Sequence, residues 1–208
     1  MIRPLLYTYR RCPYAMRARM ALIMAGMEFD AYEISLREKP AEMLAVSPKG
    51  TVPVLVLPTG EVLEQSLHIM RWAFEQHDPT QWWSRAQSPE NLALVSLNDG
   101  MFKQLLDRYK YPERFNLTER NTPRDQAVSG FIQQLEQRFH HALYLGGQQP
   151  CAADIALFPF VRQYRAVDEQ WFDAQALPET QRWLQEWLQS ELFNRCMKKL
   201  PSATRVGF

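Results

Sequence analysis

Apolar positions along this chain change their period several times, and each change marks an element. Leu5-Leu6-Tyr7-Thr8-Tyr9 is a short apolar and aromatic run and predicts a buried strand. From Met16 the apolar residues recur at helical spacing through Met20, Ile23, Met24 and Met27. Phe29 to Ile34 returns to a strand pattern, so the opening reads as a βαβ unit with two parallel strands. A short helix over Ala41 to Val46 and a turn at Pro48-Lys49-Gly50 follow. Thr51 to Leu57 predicts a third strand, with Pro53 at its mouth, because proline cannot donate to a sheet ladder. Pro58-Thr59-Gly60 turns the chain into a hairpin partner, Glu61 to Glu64. Leu67, Met70, Ala73 and Phe74 then mark a helix to His77.

Asp78-Pro79-Thr80 breaks this order, and the polar stretch to Pro89, with Trp82-Trp83 as an anchor, reads as a linker. Beyond Ser88 the pattern predicts helices and no strand. Leu92, Val95, Met101, Leu105 and Tyr109 follow one face. Pro112 to Pro123 reads as a loop. Val128, Phe131, Leu135, Phe139, Ala142 and Leu143 follow a second face, stopped by Gly146-Gly147. Ala152 to Val167 is apolar nearly all round and predicts a central helix, bent at Pro159. Pro178 opens a helix through Trp183 and Trp187, and a last short one runs to Lys199. The expected division is residues 1–78, an α/β domain in the order βαβ-α-ββ-α; 79–88, a linker; and 89–208, an all-α domain.

Composition narrows the function. The formal net charge of 208 residues is +1, which argues against a dedicated nucleic-acid binder. No segment reads as a signal peptide or a membrane span. Three cysteines without regular spacing make no disulfide framework and point to a reducing, cytoplasmic setting. His68, His77, His140 and His141 lack metal-ligand spacing, so no metal is expected.

Chemistry concentrates at Cys12-Pro13, between the first strand and the first helix. Proline is favoured at the first helical position, which puts Cys12 at the N-cap. There a sulfur faces unpaired backbone N–H groups and the positive end of the helix dipole, and both favour the thiolate. Arg10, Arg11, Arg17 and Arg19 add positive charge. Cys12 is therefore expected to be more acidic than a free cysteine, about 8.5. Ala15 stands where a resolving cysteine would complete Cys-x-x-Cys. Cys151 and Cys196 read as structural thiols.

Cys12-Pro13-Tyr14-Ala15 after the first strand, Val52-Pro53 before the third, Gln65-Ser66 after the fourth and Ala153-Asp154-Ile155-Ala156 in an all-α second half resemble the glutathione S-transferase superfamily, in particular its cysteine-type, omega-like members with glutaredoxin-like chemistry. The resemblance covers essentially the whole chain. It implies a thioredoxin-like N-terminal domain, an α-helical C-terminal domain that forms a second-substrate pocket, and a homodimer. It makes glutathione the co-substrate and Cys12 the nucleophile that forms a mixed disulfide with it. It implies that Val52 pairs its backbone with the cysteinyl part of glutathione, with Pro53 in the cis form, and that Gln65-Ser66 hold the γ-glutamyl end. Ser66 is expected to cap the third helix. Tyr14, and Lys39 thirteen positions before Val52, complete the glutathione-binding set. Two positions depart from the family pattern: Gln65 stands where Glu is frequent, and Cys151 where Ser or Thr usually forms a capping box.

The expected activity is monothiol: thiol transfer, deglutathionylation or dehydroascorbate-type reduction. Two alternatives stand beside it. One is conjugation of glutathione to small electrophiles, with Tyr7 or Tyr9 supplying a hydroxyl to the thiolate. The other is a non-enzymatic stress or regulatory protein on the same fold.

Overall fold

The computed structural model describes residues 3–78 and 80–208. By contacts the chain falls into two compact units, Met1–Thr80 together with Ser190–Phe208, and Gln81–Gln189. The chain thus returns to its N-terminal unit for its last nineteen residues, where the sequence pattern assigns everything after 88 to the helical half. Pro79, the centre of the expected break, lies outside the described residues.

The first unit is built on β1 (Leu5–Thr8), α1 (Pro13–Met24), β2 (Asp30–Glu33), α2 (Ala41–Val46), β3 (Val54–Val56), β4 (Val62–Leu63) and α3 (Ser66–Gln76). This is the expected βαβ-α-ββ-α order. β1 pairs parallel with β2 and antiparallel with β3, and β3 pairs antiparallel with β4. Side chains alternate across β1. Tyr7, with Leu5 and Tyr9 beside it, packs on one face with Ile34, Met43 and Val54, while Leu6 and Thr8 are fully buried. α1 is buried on nearly every side between α3 and the C-terminal α12 (Glu191–Cys196), which explains its unbroken run of buried residues from Ala15 to Ile23. It stops at Gly26, whose φ of +65° only glycine adopts without cost. Met27 N–H reaches Leu22 C=O and Gly26 N–H reaches Ile23 C=O, both at 3.0 Å, a Schellman closure.

One strand has no counterpart in the sequence reading. β5 (Arg205–Gly207) adds antiparallel to the outer edge of β2, giving a five-stranded sheet in the order β4-β3-β1-β2-β5. Arg205 places Nε and Nη2 on Asp30 Oδ2 at 2.7 and 2.6 Å. The Phe208 ring stacks on Phe29 with centroids 5.0 Å apart.

The second unit is built of helices, with a non-helical strap between Phe139 and Ala152. Where a linker is expected, α4 (Trp82–Arg85) forms, and Trp82 is buried with its ring 6.3 Å from that of Trp187. α5 (Pro89–Leu97) and α6 (Lys103–Lys110) are joined by a π-helical segment, Asn98–Phe102, and α7 (Asn121–Ala127) and α8 (Gln133–Phe139) by another, Val128–Ile132. The wider turn shifts the inward face. Phe102, and not Met101, is fully buried and stacks on Phe131 at 4.3 Å, while Leu92 is 49% exposed. α8 ends at Phe139, short of the expected glycine stop. An added Cβ on Gly146 would lie 2.5 Å from the Gln149 carbonyl, so this glycine serves a close backbone approach instead. α9 (Ala152–Arg165) is the expected central helix, buried without interruption from Ala152 to Val161 and continuous through Pro159. α10 (Glu169–Asp173) and α11 (Pro178–Gln189) pack against it.

Candidate active site

The β1–α1 junction has the expected form. Cys12 is the N-cap of α1, in extended conformation (φ −77°, ψ 123°), with Pro13 opening the helix. Its N–H closes a turn onto Tyr9 C=O at 3.0 Å, and its C=O receives Met16 N–H at 2.9 Å. The side chain is half-buried, and Sγ lies 3.8 Å from the Val52 carbonyl, to which the thiol donates. The Val52–Pro53 bond is cis. Two motifs forty positions apart thus meet at one sulfur.

Across α1 lies the start of α3. Gln65 is its N-cap and Ser66 its first residue, and no side chain caps the helix. This corrects the expectation that Ser66 caps α3. Its hydroxyl is turned inward and accepts from Arg17 Nη1 at 3.2 Å. With no side-chain cap, the first-turn N–H groups of α3 suit a carboxylate ligand. Tyr14 is half-buried, with the Arg17 guanidinium 5.6 Å from its ring centre.

Lys39 is exposed and folds back over the turn that leads to Val52. A Cβ on Gly50 would lie 3.2 Å from Lys39 Nζ, and Gly50 has φ +63°, a backbone conformation that favours glycine. The same turn is tied to the end of β4: Lys49 Nζ donates to Glu64 C=O at 2.7 Å, and Ser47 Oγ donates to the Glu64 carboxylate. Sequence pattern reads Glu64 only as a strand residue. Its link to the 47–49 turn shows once the hairpin brings the two together.

The other two thiols are unsuited to nucleophilic work. Burial pushes the Cys151 thiol up to about 12. It sits in a capping box with Asp154, whose Oδ2 accepts the Cys151 N–H at 2.8 Å, so the cysteine fills the place of the usual Ser or Thr. Cys196 is buried and donates to Met16 C=O. Among the described residues no group of three or more His, Cys, Asp or Glu is placed to hold a metal, and no helix is long and apolar enough to cross a membrane.

Residues 6–81 match the family model described as glutathione S-transferase, N-terminal domain, and residues 118–186 match glutathione S-transferase, C-terminal domain. The chain belongs to the glutathione S-transferase superfamily. Among curated proteins this transferase is 23% identical over 168 residues to mouse (Mus musculus) glutathione S-transferase omega-1, covering 78% of this chain and 67% of that one. It is 26% identical over 169 residues to the probable cytosolic glutathione S-transferase DHAR1 of rice (Oryza sativa subsp. japonica), covering 81% and 73%. Among solved structures it is similar to a glutathione transferase of Burkholderia graminis bound to two glutathione molecules per subunit, with TM-score 0.78, 21% identity and coverage of 94% and 87%.

Proposed function

We propose that this transferase is a glutathione-dependent thiol transferase working through a monothiol cycle at Cys12. The observation that carries the reading is a half-buried cysteine at the proline-opened start of α1, in a motif whose fourth position is Ala15. The similarity to proteins named omega-1 and DHAR1 supports it. In the first step the Cys12 thiolate attacks the glutathionyl sulfur of a mixed disulfide. The Cys12–glutathione disulfide forms and the substrate thiolate leaves. A second glutathione thiolate then attacks that glutathionyl sulfur, releasing glutathione disulfide and the Cys12 thiolate. Glutathione is held by the backbone of Val52 before Pro53, by Gln65 and Ser66 at the start of α3, and by Tyr14 and Lys39. We place the enzyme in the cytoplasm as a homodimer, in line with its family.

Conjugation through a tyrosine hydroxyl is disfavoured. The Tyr7 and Tyr9 rings pack with Met43 and Val54 on the α2 side of the sheet, and burial raises the Tyr7 hydroxyl above its usual value.

Cys12→Ser tests the reading. Glutathione-dependent disulfide reduction should vanish, because a serine hydroxyl does not exchange with disulfides. Glutathione affinity should change only a few-fold, because the remaining hydrogen bonds, each contributing about 0.5–1.5 kcal/mol, are untouched. Disulfide reduction that survives the substitution removes Cys12 as the nucleophile.

A further inference from the structure

The chain enters α1 through Arg10, and both peptide planes flanking the Arg10 α-carbon are held from other elements. Glu33, the last residue of β2, accepts the Arg10 N–H at 2.7 Å. Arg19, on α1, donates from Nη2 to the Arg10 carbonyl at 2.9 Å. Peptide planes are rigid, so a hold on each of them restrains φ and ψ of Arg10. Cys12 N–H then closes onto Tyr9 two bonds further along the turn. The placing of the sulfur follows from these grips.

Arg19 is 1% exposed. A guanidinium keeps its charge in a protein, and burying a charge without an opposite partner is costly. Among the described residues Arg19 has neutral partners only, Thr8 Oγ1 at 2.5 Å and the Arg10 carbonyl, and its Nε has no hydrogen-bond partner. An apolar residue would fill the same space without that penalty. A carboxylate partner would neutralise the guanidinium. Without one, its field remains available to an anion forming two residues beyond the carbonyl it holds.

We infer that Arg19 is a positioning residue for Cys12: it fixes the loop that presents the sulfur and supplies standing positive charge behind it as the thiolate forms. The other charged groups about the loop play different parts. Arg10 and Arg11 belong to the loop itself, Arg10 half-buried and Arg11 exposed. Arg17 donates to Ser66 on α3. Glu33 brings the opposing sign from β2, and Lys39 lies over Gly50. The consequence for catalysis rests on the thiol-transferase reading, but the test does not.

The test is the rate of alkylation of Cys12 by iodoacetamide against pH in the full chain, with the site assigned by mass spectrometry. Arg19→Gln should move the inflection up, because it removes a standing positive charge from behind the loop that presents the sulfur. Arg19→Lys keeps the charge but not the fork that reaches Thr8 and Arg10 together, and should recover part of the shift. Glu33→Gln keeps an acceptor for the Arg10 N–H and removes the opposing charge, so its inflection should move down. A folded Arg19→Gln protein with the wild-type inflection overturns the inference. If that variant does not fold, an unmoved inflection in Glu33→Gln overturns it instead. Alkylation needs no glutathione, so the two readings fail separately. A wild type that alkylates with these shifts but reduces no disulfide loses the thiol-transferase reading and keeps the role of Arg19. An active wild type with unmoved inflections does the reverse.

Discussion

Asp154 shows how much a single buried carboxylate organises in the helical unit. It is fully buried, and its oxygens accept the Leu145 and Cys151 N–H groups at 3.0 and 2.8 Å and the Trp183 indole N–H at 2.9 Å. One side chain therefore opens α9, fixes the strap before it and anchors α11. Burial raises its pKa against the opposing pull of these donors. The sign follows: a carboxyl raised in the folded state contributes most at pH below its unfolded value, about 3.9, and that part of the stability is lost as pH rises through the folded value. What Asp154 supplies near neutrality is hydrogen-bonding acceptance. Asp154→Ala leaves three buried donors without an acceptor and should cost about 3 kcal/mol or more, since each orphaned group costs roughly 1–3 kcal/mol. Urea unfolding at neutral pH measures it. A loss below 1 kcal/mol, on the same scale of one ordinary hydrogen bond, would mean that water or repacking replaces the carboxylate.

At the scale of elements, legibility follows from where each signal resides. α1 was readable because Pro13 and the methionine spacing lie within it. β1 to β4 were readable because each carries its own apolar alternation or turn residues. The cis Val52–Pro53 bond was expected from the family likeness and the place of Pro53 at the strand mouth. β5 was not readable: three residues alternating exposed, half-buried, exposed carry no strand signal, and its reason to be extended lies on the β2 edge. The π-helical segments were invisible for a related reason, because 3.6-residue spacing gives no sign of one widened turn, and Phe102 took the place expected of Met101. Arg19 was legible as a charge but not as a buried one, and the grip on Arg10 appears only with the fold. β5 also covers an open sheet edge, which native proteins rarely leave bare. Removing residues 205–208 deletes the Arg205–Asp30 pair and the Phe208–Phe29 stack. These contribute roughly 0.2–1 and 0.5–1.5 kcal/mol. Denaturation should report a loss of about 1–2 kcal/mol, and light scattering should report association through the uncovered edge. An unchanged midpoint with an unchanged mass would leave β5 without a structural role.

Over the whole molecule the charges nearly cancel, with 24 Lys and Arg against 23 Asp and Glu. No large external field is then available to hold a thiolate at Cys12, and what favours it must be local. The local sources differ in how they meet solvent. Arg11 is exposed and Arg10 half-buried, so their contribution is screened by salt, with a Debye length near 10 Å at about 0.1 M and about 3 Å at 1 M. The Arg19 guanidinium is buried in protein, and its effect persists. The Cys12 alkylation inflection should therefore hold nearly constant as salt is raised from about 0.1 M to about 1 M. Surface arginines as the main source would give the opposite result, an inflection that climbs steadily with salt towards the free-cysteine value of about 8.5. Arg11→Ala sharpens the comparison, because it removes the exposed charge and leaves the buried one. If Arg19 dominates, that variant keeps both the wild-type inflection and its indifference to salt. A large upward shift in Arg11→Ala would assign the thiolate to the surface and return Arg19 to a purely structural place in α1.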